Sequence, residues 1–234
     1  MAKRECPKGP AKAGSRLQTQ RYVNEAPERI NEAILASLVD GPPGGGKIWW
    51  TSPLVSEDFA EYRDEQFLDA LDLGHLTKEL VGGFWPRQGP CWDGLAVVTS
   101  PDDPEYHGVL LVDAKSHVDE VFGDGCDALS PSRETIRLAL KRTADWLGVP
   151  GGPHWEERLY QSANRMAHLY FLRKVMRVPA WLVDVYFIDD PYRPTSREAW
   201  DAFRPSLWGE LGVRPAEVPG LCELFLPAIG VGVD

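Results

Sequence analysis

The chain has 234 residues, enough for one sizeable domain or two small ones, and its 43% hydrophobic and 26% charged content is ordinary for a soluble globular protein. It has no apolar run as long as a membrane span and no signal-peptide core at its N-terminus. Its four scattered cysteines indicate neither a disulfide framework nor a zinc site. Together these features predict a cytoplasmic protein without a membrane partner. The net charge of −10 excludes a broad basic surface for nucleic acid but permits a local basic patch.

Residues 1–21 are predicted to form a disordered basic tail. They hold six Lys or Arg residues and one acidic residue, and they contain hardly any large apolar side chain. We interpret the tail as a solvated leader, and a DNA-tethering arm is the alternative. Residues 22–234 are predicted to form a single α/β domain.

Residues 24–39 are predicted to form a helix, because Pro27 suits the first helical turn and apolar residues recur at helical spacing. The next stretch, GPPGGGK, matches the phosphate-loop pattern G-x-x-x-x-G-K. However, no hydroxyl residue follows Lys47, and Pro42 and Pro43 lack the N–H groups that would bind phosphate. We therefore interpret the stretch as a flexible linker. A nucleotide-binding enzyme is the minor alternative, and it predicts nucleotide affinity that Lys47→Ala abolishes.

Residues 56–72 are predicted to form a second helix, with Ser56 as its N-cap and acidic residues in its first turn. A first short strand is expected at about residues 80–85, where it would be ended by a proline. Arg87 and Gln88 lie in the loop that follows. They either contact a substrate phosphate or are simply exposed loop residues.

The stretch WDGLAVVTSPDDPEYHGVLLVDAK, residues 92–115, predicts an antiparallel hairpin of two apolar strands joined by a polar turn. Asp93 opens the first strand, and Asp113 and Lys115 project from one face at the end of the second. If Asp93 lies opposite Asp113, the turn is centred in SPDDPEY, which is rich in turn-forming residues. Directly opposed residues have Cβ atoms about 5 Å apart. Two carboxylates and an ammonium would therefore meet at one point.

This combination of side chains is typical of a metal site. A buried pair of carboxylates is costly unless positive charge lies between them. Carboxylates completed by water and phosphate suit Mg²⁺, and a neighbouring lysine could orient or deprotonate an attacking water. The alternative is structural: Asp113 and Lys115 form a salt bridge at the strand end, and Asp93 caps a turn.

Further helices and strands complete the predicted domain. Both alternating sets of side chains in the second hairpin strand are apolar, which indicates a sheet covered on both faces, as in a layered α/β/α fold. The later elements are helices at 134–147 and 156–174, a strand at 180–188, a short helix at 196–203 and a strand at 221–229.

Two of these helices carry candidate substrate-binding faces. The first has the best candidate for a local basic patch: Arg133, Arg137, Lys141 and Arg142. The second has a polar stripe at helical spacing: Gln161, Asn164, Arg165 and His168. For the basic patch, the alternative is an ordinary solvated face. For the polar stripe, the alternative is that His168 is a structural or solvent-facing histidine.

The pattern D-x(19)-D-x-K formed by Asp93, Asp113 and Lys115 resembles that of the PD-(D/E)XK superfamily of restriction-endonuclease-like nucleases, with Trp92 in place of the usual proline. The resemblance covers residues 55–190 and leaves 191–234 as a C-terminal extension. It implies an α-β-β-β-α-β core whose mixed sheet is flanked by helices on both faces. It also implies hydrolysis of nucleic-acid phosphodiester bonds with Mg²⁺ or Mn²⁺, and DNA is the favoured substrate.

The resemblance also implies roles for individual residues. Asp93, Asp113 and the carbonyl of Ala114 would hold the metal, and Lys115 would position the water. An acid on the first helix would be an auxiliary ligand; Glu65 is the first choice, with Glu61 in reserve and a solvated acidic face as the alternative. Gln161 and Arg165 would act near the scissile phosphate. Arg87, from its loop position, and His168, from the polar stripe, are the other candidate substrate contacts.

The superfamily includes members that have lost activity, so the main alternative is a non-catalytic interaction protein that keeps the nuclease fold. The net charge of −10 favours this alternative. In that case the acidic cluster would bind metal poorly. A protein partner or a homo-oligomer stays open under either hypothesis.

Overall fold

The structure, a computed structural model, describes residues 5–230, which form seven α-helices and a five-stranded mixed sheet and so belong to the predicted α/β class. The helices are α1 (Gly14–Glu25), α2 (Pro27–Ser37), α3 (Asp64–Ala70), α4 (Thr77–Leu80), α5 (Ser132–Leu147), α6 (Tyr160–Tyr170) and α7 (Arg197–Leu211). The strands are β1 (Lys47–Ser52), β2 (Gly94–Thr99), β3 (Gly108–Lys115), β4 (Ala180–Ile188) and β5 (Leu221–Pro227).

The strands lie side by side in chain order. β1, β2 and β3 pair antiparallel, and β4 and β5 continue the sheet parallel to β3. In the β2–β3 hairpin, Gly94 pairs with Val112, so the next position along the register sets Asp93 opposite Asp113. The carbonyl of Asp103 accepts a hydrogen bond from Tyr106 N–H within the turn. The predicted hairpin, its register and its turn are therefore confirmed.

Helices cover both faces of the sheet, as the apolar pattern of β3 predicts. Val109 and Leu111 belong to the core that includes α3, α5, α6 and α7, whereas Leu110 and Val112 belong to the core under α1 and α2. Asp113 continues the alternation of Val109 and Leu111. The side chain of Asp113 therefore lies on the face of the sheet packed by α6.

The prediction of a disordered tail over residues 1–21 is wrong for residues 5–21: Gly9 N–H donates to the Asp58 carbonyl, Cys6 is bonded to Cys91, and α1 begins at Gly14. Tertiary hydrogen bonds hold this polar helix: Gln18 Oε1 accepts from Ile229 N–H at 2.8 Å, and the Tyr22 hydroxyl donates to the Pro227 carbonyl at 2.7 Å. Gln18, Thr19 and Gln20 are buried. Local sequence gives no sign of contacts with partners some 200 positions away. Residues 1–4 of the predicted tail, and 231–234 of the predicted extension, lie outside the described residues.

The first strand of the sheet is not at residues 80–85, where only an isolated bridge between Val81 and Trp85 forms. The first strand is β1, whose aromatic and β-branched residues suit a strand. The stretch GPPGGGK runs directly into it, with Lys47 Nζ 3.9 Å from the ring centre of Trp49. A phosphate loop needs a helix at this point, so this connection contradicts the nucleotide-binding alternative.

The ends of several predicted helices differ from the observed ones. The helix predicted at 56–72 shortens to α3, because Asp58 and Phe59 adopt positive φ angles of 54° and 53° that interrupt it. The helix predicted at 156–174 becomes α6 followed by a π-helical turn, Phe171–Val175. α7 extends well beyond 203 despite containing Pro205. The strand predicted at 180–188 is confirmed as β4.

The cysteines also differ from expectation. Cys6 and Cys91 form a disulfide, so the prediction that no disulfide is present is wrong for this pair. They lie 85 positions apart, too far for spacing to reveal the pairing. Cys126 and Cys222 are free thiols. Across residues 5–230, none of the helices has both the length and the apolar character that crossing a membrane requires.

Candidate metal and phosphate site

Asp93, Asp113, Ala114 and Lys115, here called the hairpin cluster, meet at the end of β2 and β3. Asp93 Oδ2 accepts a hydrogen bond from Ala114 N–H at 2.9 Å. Lys115 Nζ lies 2.8 Å from Asp113 Oδ2 and donates to the Ala114 carbonyl at 3.3 Å. Asp113 and Lys115 are only 6% and 9% exposed. The structure therefore brings together the four residues that the sequence singled out.

Arg165 joins the hairpin cluster from α6. Its Nε lies 3.2 Å from Asp113 Oδ1, and its Nη2 donates to the Cys91 carbonyl at 2.9 Å. The guanidinium also lies over the ring of Trp92, 4.9 Å from the ring centre. Both carboxylate oxygens of Asp113 are thus held by cations, and Arg165 links β3 to the loop that leads into Asp93.

Charge and burial shift the pKa values of these groups in opposite directions. Burial alone would raise the pKa of Asp113, but Lys115 and Arg165 outweigh burial and hold that pKa below its usual value. Burial alone would lower the pKa of Lys115, but Asp113 and Asp93 outweigh it and raise that pKa. Burial, with the Asp113 charge adding to it, raises the pKa of Asp93 to about 6 despite Lys115. The cluster therefore contains a firmly charged Asp113–Lys115 pair beside a readily protonated Asp93.

Glu61, the reserve candidate, is the acid that approaches Asp93. Tyr62 and Trp92 form an antiparallel bridge, with Trp92 N–H donating to the Tyr62 carbonyl at 3.1 Å, and the same register sets Glu61 opposite Asp93. Glu61 Oε1 lies 2.8 Å from Arg16 Nε. Burial first and the Asp93 charge second raise the pKa of Glu61 to about 7, against the lowering effect of Arg16.

Glu65, the first-choice acid, pairs with Arg87, and its role as an auxiliary metal ligand stays a prediction. Its Oε1 lies 2.5 Å from Arg87 Nη1, and the two side chains are 37% and 57% exposed. The helix begins only at Asp64, whose carboxylate accepts the backbone N–H groups of Gln88 and Gly89. The start of α3 therefore binds the loop that contains Arg87, and the contact of Arg87 with substrate stays a prediction.

The polar stripe of α6 splits into residues with different surroundings. His168 is 1% exposed, its Nδ1 lies 2.8 Å from the Asn164 carbonyl, and its ring packs against Trp85 and Trp92. Burial lowers the pKa of His168 to about 4, so the ring is neutral at physiological pH. This packing contradicts the predicted substrate contact. Gln161, one helical turn before Arg165, lies against Gly123, and its catalytic role stays a prediction.

The predicted basic patch on α5 is engaged in surface ion pairs. Arg137 Nε lies 2.8 Å from Glu156 Oε1, and Arg133 Nε lies 3.4 Å from the other oxygen of the same carboxylate. Lys141 pairs with Asp145 one turn further along the helix. Exposed pairs of this kind are worth little to stability, and this face resembles the ordinary solvated surface given as the alternative.

Sequence reasoning did not assign Asp184, which lies beside the cluster in the sheet. β4 pairs Asp184 with Asp113 on one side, and β5 pairs it with Glu223 on the other. Glu223 Oε1 accepts from Trp208 Nε1 at 2.9 Å and Glu223 also pairs with Arg204. Burial, then Asp113 and Glu223, raise the pKa of Asp184 well above its usual value. An acid within the apolar run AWLVDVYFI is the sequence signal of this position.

The donor set fits a small hard cation. Among residues 5–230, no three His, Cys, Asp or Glu side chains are arranged to hold a metal ion. Mg²⁺, however, is usually held by one or two carboxylates, with water and phosphate completing the shell. Asp93, Asp113 and the Ala114 carbonyl offer oxygen donors of this type, with Glu61 nearby. Lys115 and Arg165 hold the Asp113 oxygens, so metal binding requires these cations to shift.

Comparisons of the chain with protein-family models, with curated proteins and with solved structures find no match. The hairpin cluster and the residues around it are therefore the basis for a proposal about function.

Proposed function

We propose that the chain is a Mg²⁺-dependent nuclease that hydrolyses phosphodiester bonds of nucleic acid, with DNA favoured. The convergence of Asp93, Asp113 and Lys115 at one end of the β2–β3 hairpin is the observation that carries this proposal. Glu61 and Arg165 approach the same point from two other parts of the chain. Each is a residue type that a metal-dependent phosphodiesterase needs.

The order of the elements supports a restriction-endonuclease-like core. α2, β1, β2 and β3 are followed by α5 and α6 and then by β4, parallel to β3, which matches the expected α-β-β-β-α-β order. In this arrangement the core begins with α2 and not at residue 55. α3 and α4 are then an insertion between the first two strands.

In the proposed reaction Asp93, Asp113 and the Ala114 carbonyl would hold the metal. A bound Mg²⁺ would polarise the phosphate and lower the pKa of a bound water. Lys115 keeps its proton because its pKa is raised. Lys115 would orient the attacking water and offset charge on the phosphate.

Arg165 supplies a second positive charge. Its contact with Asp113 Oδ1 competes with a metal for that oxygen. If Asp113 turned to a metal, Arg165 Nε would become available to donate a hydrogen bond to a phosphate oxygen, while Nη2 and Nη1 keep their bonds to the Cys91 carbonyl and Asn164 Oδ1. Because the protein as a whole is acidic, with a net charge of −10, we expect weak non-specific affinity that depends steeply on salt.

A non-catalytic interaction protein is the second candidate. The observation that favours it is that Lys115, Arg165 and the Ala114 N–H already satisfy the carboxylates. Such a closed network can serve as a structural ion cluster without any metal. In this case calorimetry would detect no Mg²⁺ or Mn²⁺ binding.

Cleavage of labelled single- and double-stranded DNA and RNA with Mg²⁺ or Mn²⁺ tests the nuclease proposal. We expect wild type to cut at least one of these substrates, and Asp113→Asn to lose that activity because a metal ligand is missing. Glu65→Gln is the matched control, since it makes the same acid-to-amide change in the ion pair with Arg87. Absence of both cutting and metal binding in wild type would favour the interaction protein.

A further inference from the structure

A short N-terminal segment, residues 5–13, here called the strap, lies against the strand-like stretch that carries Glu61. Gly9 N–H donates to the Asp58 carbonyl at 2.7 Å, and Glu61 N–H donates to the Pro7 carbonyl at 3.1 Å. Arg16, at the start of α1, joins both parts: its Nη2 donates to the Gly9 carbonyl at 2.9 Å while its Nε holds Glu61. The strap thus positions the backbone and the carboxylate of Glu61 beside Asp93.

The strap is also covalently attached to the other side of the site. The Cys6–Cys91 disulfide ties it to the loop two residues before Asp93. The Cys91 carbonyl accepts a hydrogen bond from Arg165, which in turn holds Asp113. One covalent bond therefore secures the strap, the approach to Asp93 and the anchor of Arg165 together.

The disulfide has a chemical environment suited to exchange. Arg63 Nε lies 3.0 Å from Cys6 Sγ, and Arg63 Nη2 lies 2.6 Å from Cys91 Sγ. A guanidinium at this distance stabilises a thiolate, which is the leaving group when a disulfide is attacked and the nucleophile when it re-forms.

We propose that the Cys6–Cys91 disulfide is a redox switch that controls the hairpin cluster, and that the oxidised chain is the competent form. This inference rests on the proposed function, because it concerns regulation of the same metal and phosphate site. In the reduced chain the strap keeps only its hydrogen bonds and the Arg16–Glu61 pair. Reduction then removes the covalent bond that fixes the positions of Glu61, Asp93 and Arg165 relative to one another.

The switching reaction is a thiol–disulfide exchange with a dithiol reductant. A thiolate of the reductant attacks one sulfur of the pair, forms a mixed disulfide and releases the other cysteine as a thiolate, which takes a proton. The second thiol of the reductant then displaces the first cysteine. Two electrons and two protons reach Cys6 and Cys91, and the reductant leaves as a disulfide. An oxidised dithiol reverses these steps.

The test compares the full chain in its oxidised form and after treatment with dithiothreitol. Labelling of the denatured chain followed by mass spectrometry counts free thiols, amide hydrogen exchange reports on residues 5–13 and on Glu61, and calorimetry measures Mn²⁺ affinity. We expect two free thiols before reduction and four after it, because Cys126 and the buried Cys222 are already free. We expect the strap amides to exchange about tenfold faster in the reduced chain, and Mn²⁺ affinity to fall about tenfold, an ordinary size for coupling between sites.

Two variants complete the design. Cys6→Ser should behave like the reduced chain under both conditions, whereas Cys126→Ser should switch like wild type. If Cys6→Ser does not fold, the comparison of oxidised and reduced wild type still decides the question.

Four free thiols in the oxidised chain, or unchanged strap exchange after reduction, would overturn the inference. Mn²⁺ affinity that is measurable but equal in both forms would overturn the switch and leave the proposed function standing. Absence of Mn²⁺ binding in both forms would instead refute the metal site itself, and the switch with it.

Discussion

Lys115→Met is the substitution that most sharply tests the charge balance of the hairpin cluster. Lys115 Nζ lies 2.8 Å from Asp113 and both groups are buried, so removing the ammonium leaves Asp113 and Asp93 with less compensation. Breaking a buried ion pair commonly costs 3–5 kcal/mol. Arg165 still holds Asp113, and Met keeps much of the apolar stem. We therefore expect the free energy of unfolding at pH 8 to fall by about 3 kcal/mol, the lower end of that range.

The pH dependence gives this prediction its sign. The pKa of Asp93 is raised to about 6 in the folded protein, so Asp93 is mostly protonated at pH 5 and ionised at pH 8. A raised carboxyl pKa means that the folded state binds more protons between the unfolded and folded pKa values, and stability falls as pH rises through that window. Removing the ammonium therefore lowers the free energy of unfolding less at pH 5, where Asp113 is charged and Asp93 is not. We expect a decrease of about 1 kcal/mol at that pH.

Urea denaturation of wild type and Lys115→Met at pH 5 and pH 8, without metal, measures both quantities. Lys78→Met is a suitable control, because it changes the same residue type on the short helix α4. A loss at pH 8 smaller than about 1 kcal/mol, the worth of an exposed pair, would refute the reasoning. An equal decrease in the free energy of unfolding at both pH values would show that the Lys115 ammonium does not compensate the charge of Asp93.

Three other predictions follow from the same contacts. Glu61→Gln should weaken Mn²⁺ binding about tenfold in calorimetry, a typical loss for a group that supports a metal site, whereas Glu65→Gln should leave the affinity unchanged. Weaker binding in Glu65→Gln and unchanged binding in Glu61→Gln would instead favour Glu65 as the auxiliary ligand. Mn²⁺ binding should strengthen from pH 5.5 to pH 7.5 with release of protons, because Asp93 with a pKa of about 6 and Glu61 with a pKa of about 7 must ionise to bind it. Calorimetry in two buffers of different ionisation enthalpy measures the proton release, and its absence would contradict this prediction. His168→Ala should lower the free energy of unfolding by about 3 kcal/mol through a cavity among aromatic rings, yet the cleavage rate per folded molecule should stay the same, and a selective loss of rate would return His168 to the substrate contacts.

The hairpin was predictable because its information is local. Alternation of side chains fixes which residues share a face, and the turn residues fix the centre, so the pairing of Asp93 with Asp113 follows from counting along the chain. β4 was equally clear, since a nine-residue apolar run between polar segments has few other interpretations. Both elements are specified within a short stretch of sequence.

The position of Glu61 beside Asp93 was not predictable in this way. A helical pattern favoured Glu65, but positive φ angles at Asp58 and Phe59 interrupt that helix. Glu61 then reaches Asp93 through the bridge between Tyr62 and Trp92, 30 positions apart in the sequence. No local period encodes such a contact, and only the folded chain reveals it.

The N-terminal part of the site was hidden for a similar reason. α1 is polar, so its sequence resembles a solvated tail, and it is held by contacts with the far end of the chain. Arg16 and Cys6 become part of the site only because this segment folds back onto it. The interpretation of the cysteines as unpaired failed because disulfide pairing depends on the fold and not on spacing alone.

Single-turnover cleavage of a labelled nucleic acid by wild type and Asp113→Asn, measured as Mg²⁺ is titrated, is the decisive test of the nuclease proposal. We expect a wild-type rate that rises with Mg²⁺ to a plateau and disappears when the metal is chelated. We expect a loss of at least about a hundredfold in Asp113→Asn, the scale seen when a group that stabilises transition-state charge is removed. Cleavage that survives in Asp113→Asn, or that needs no divalent metal, would contradict the proposal.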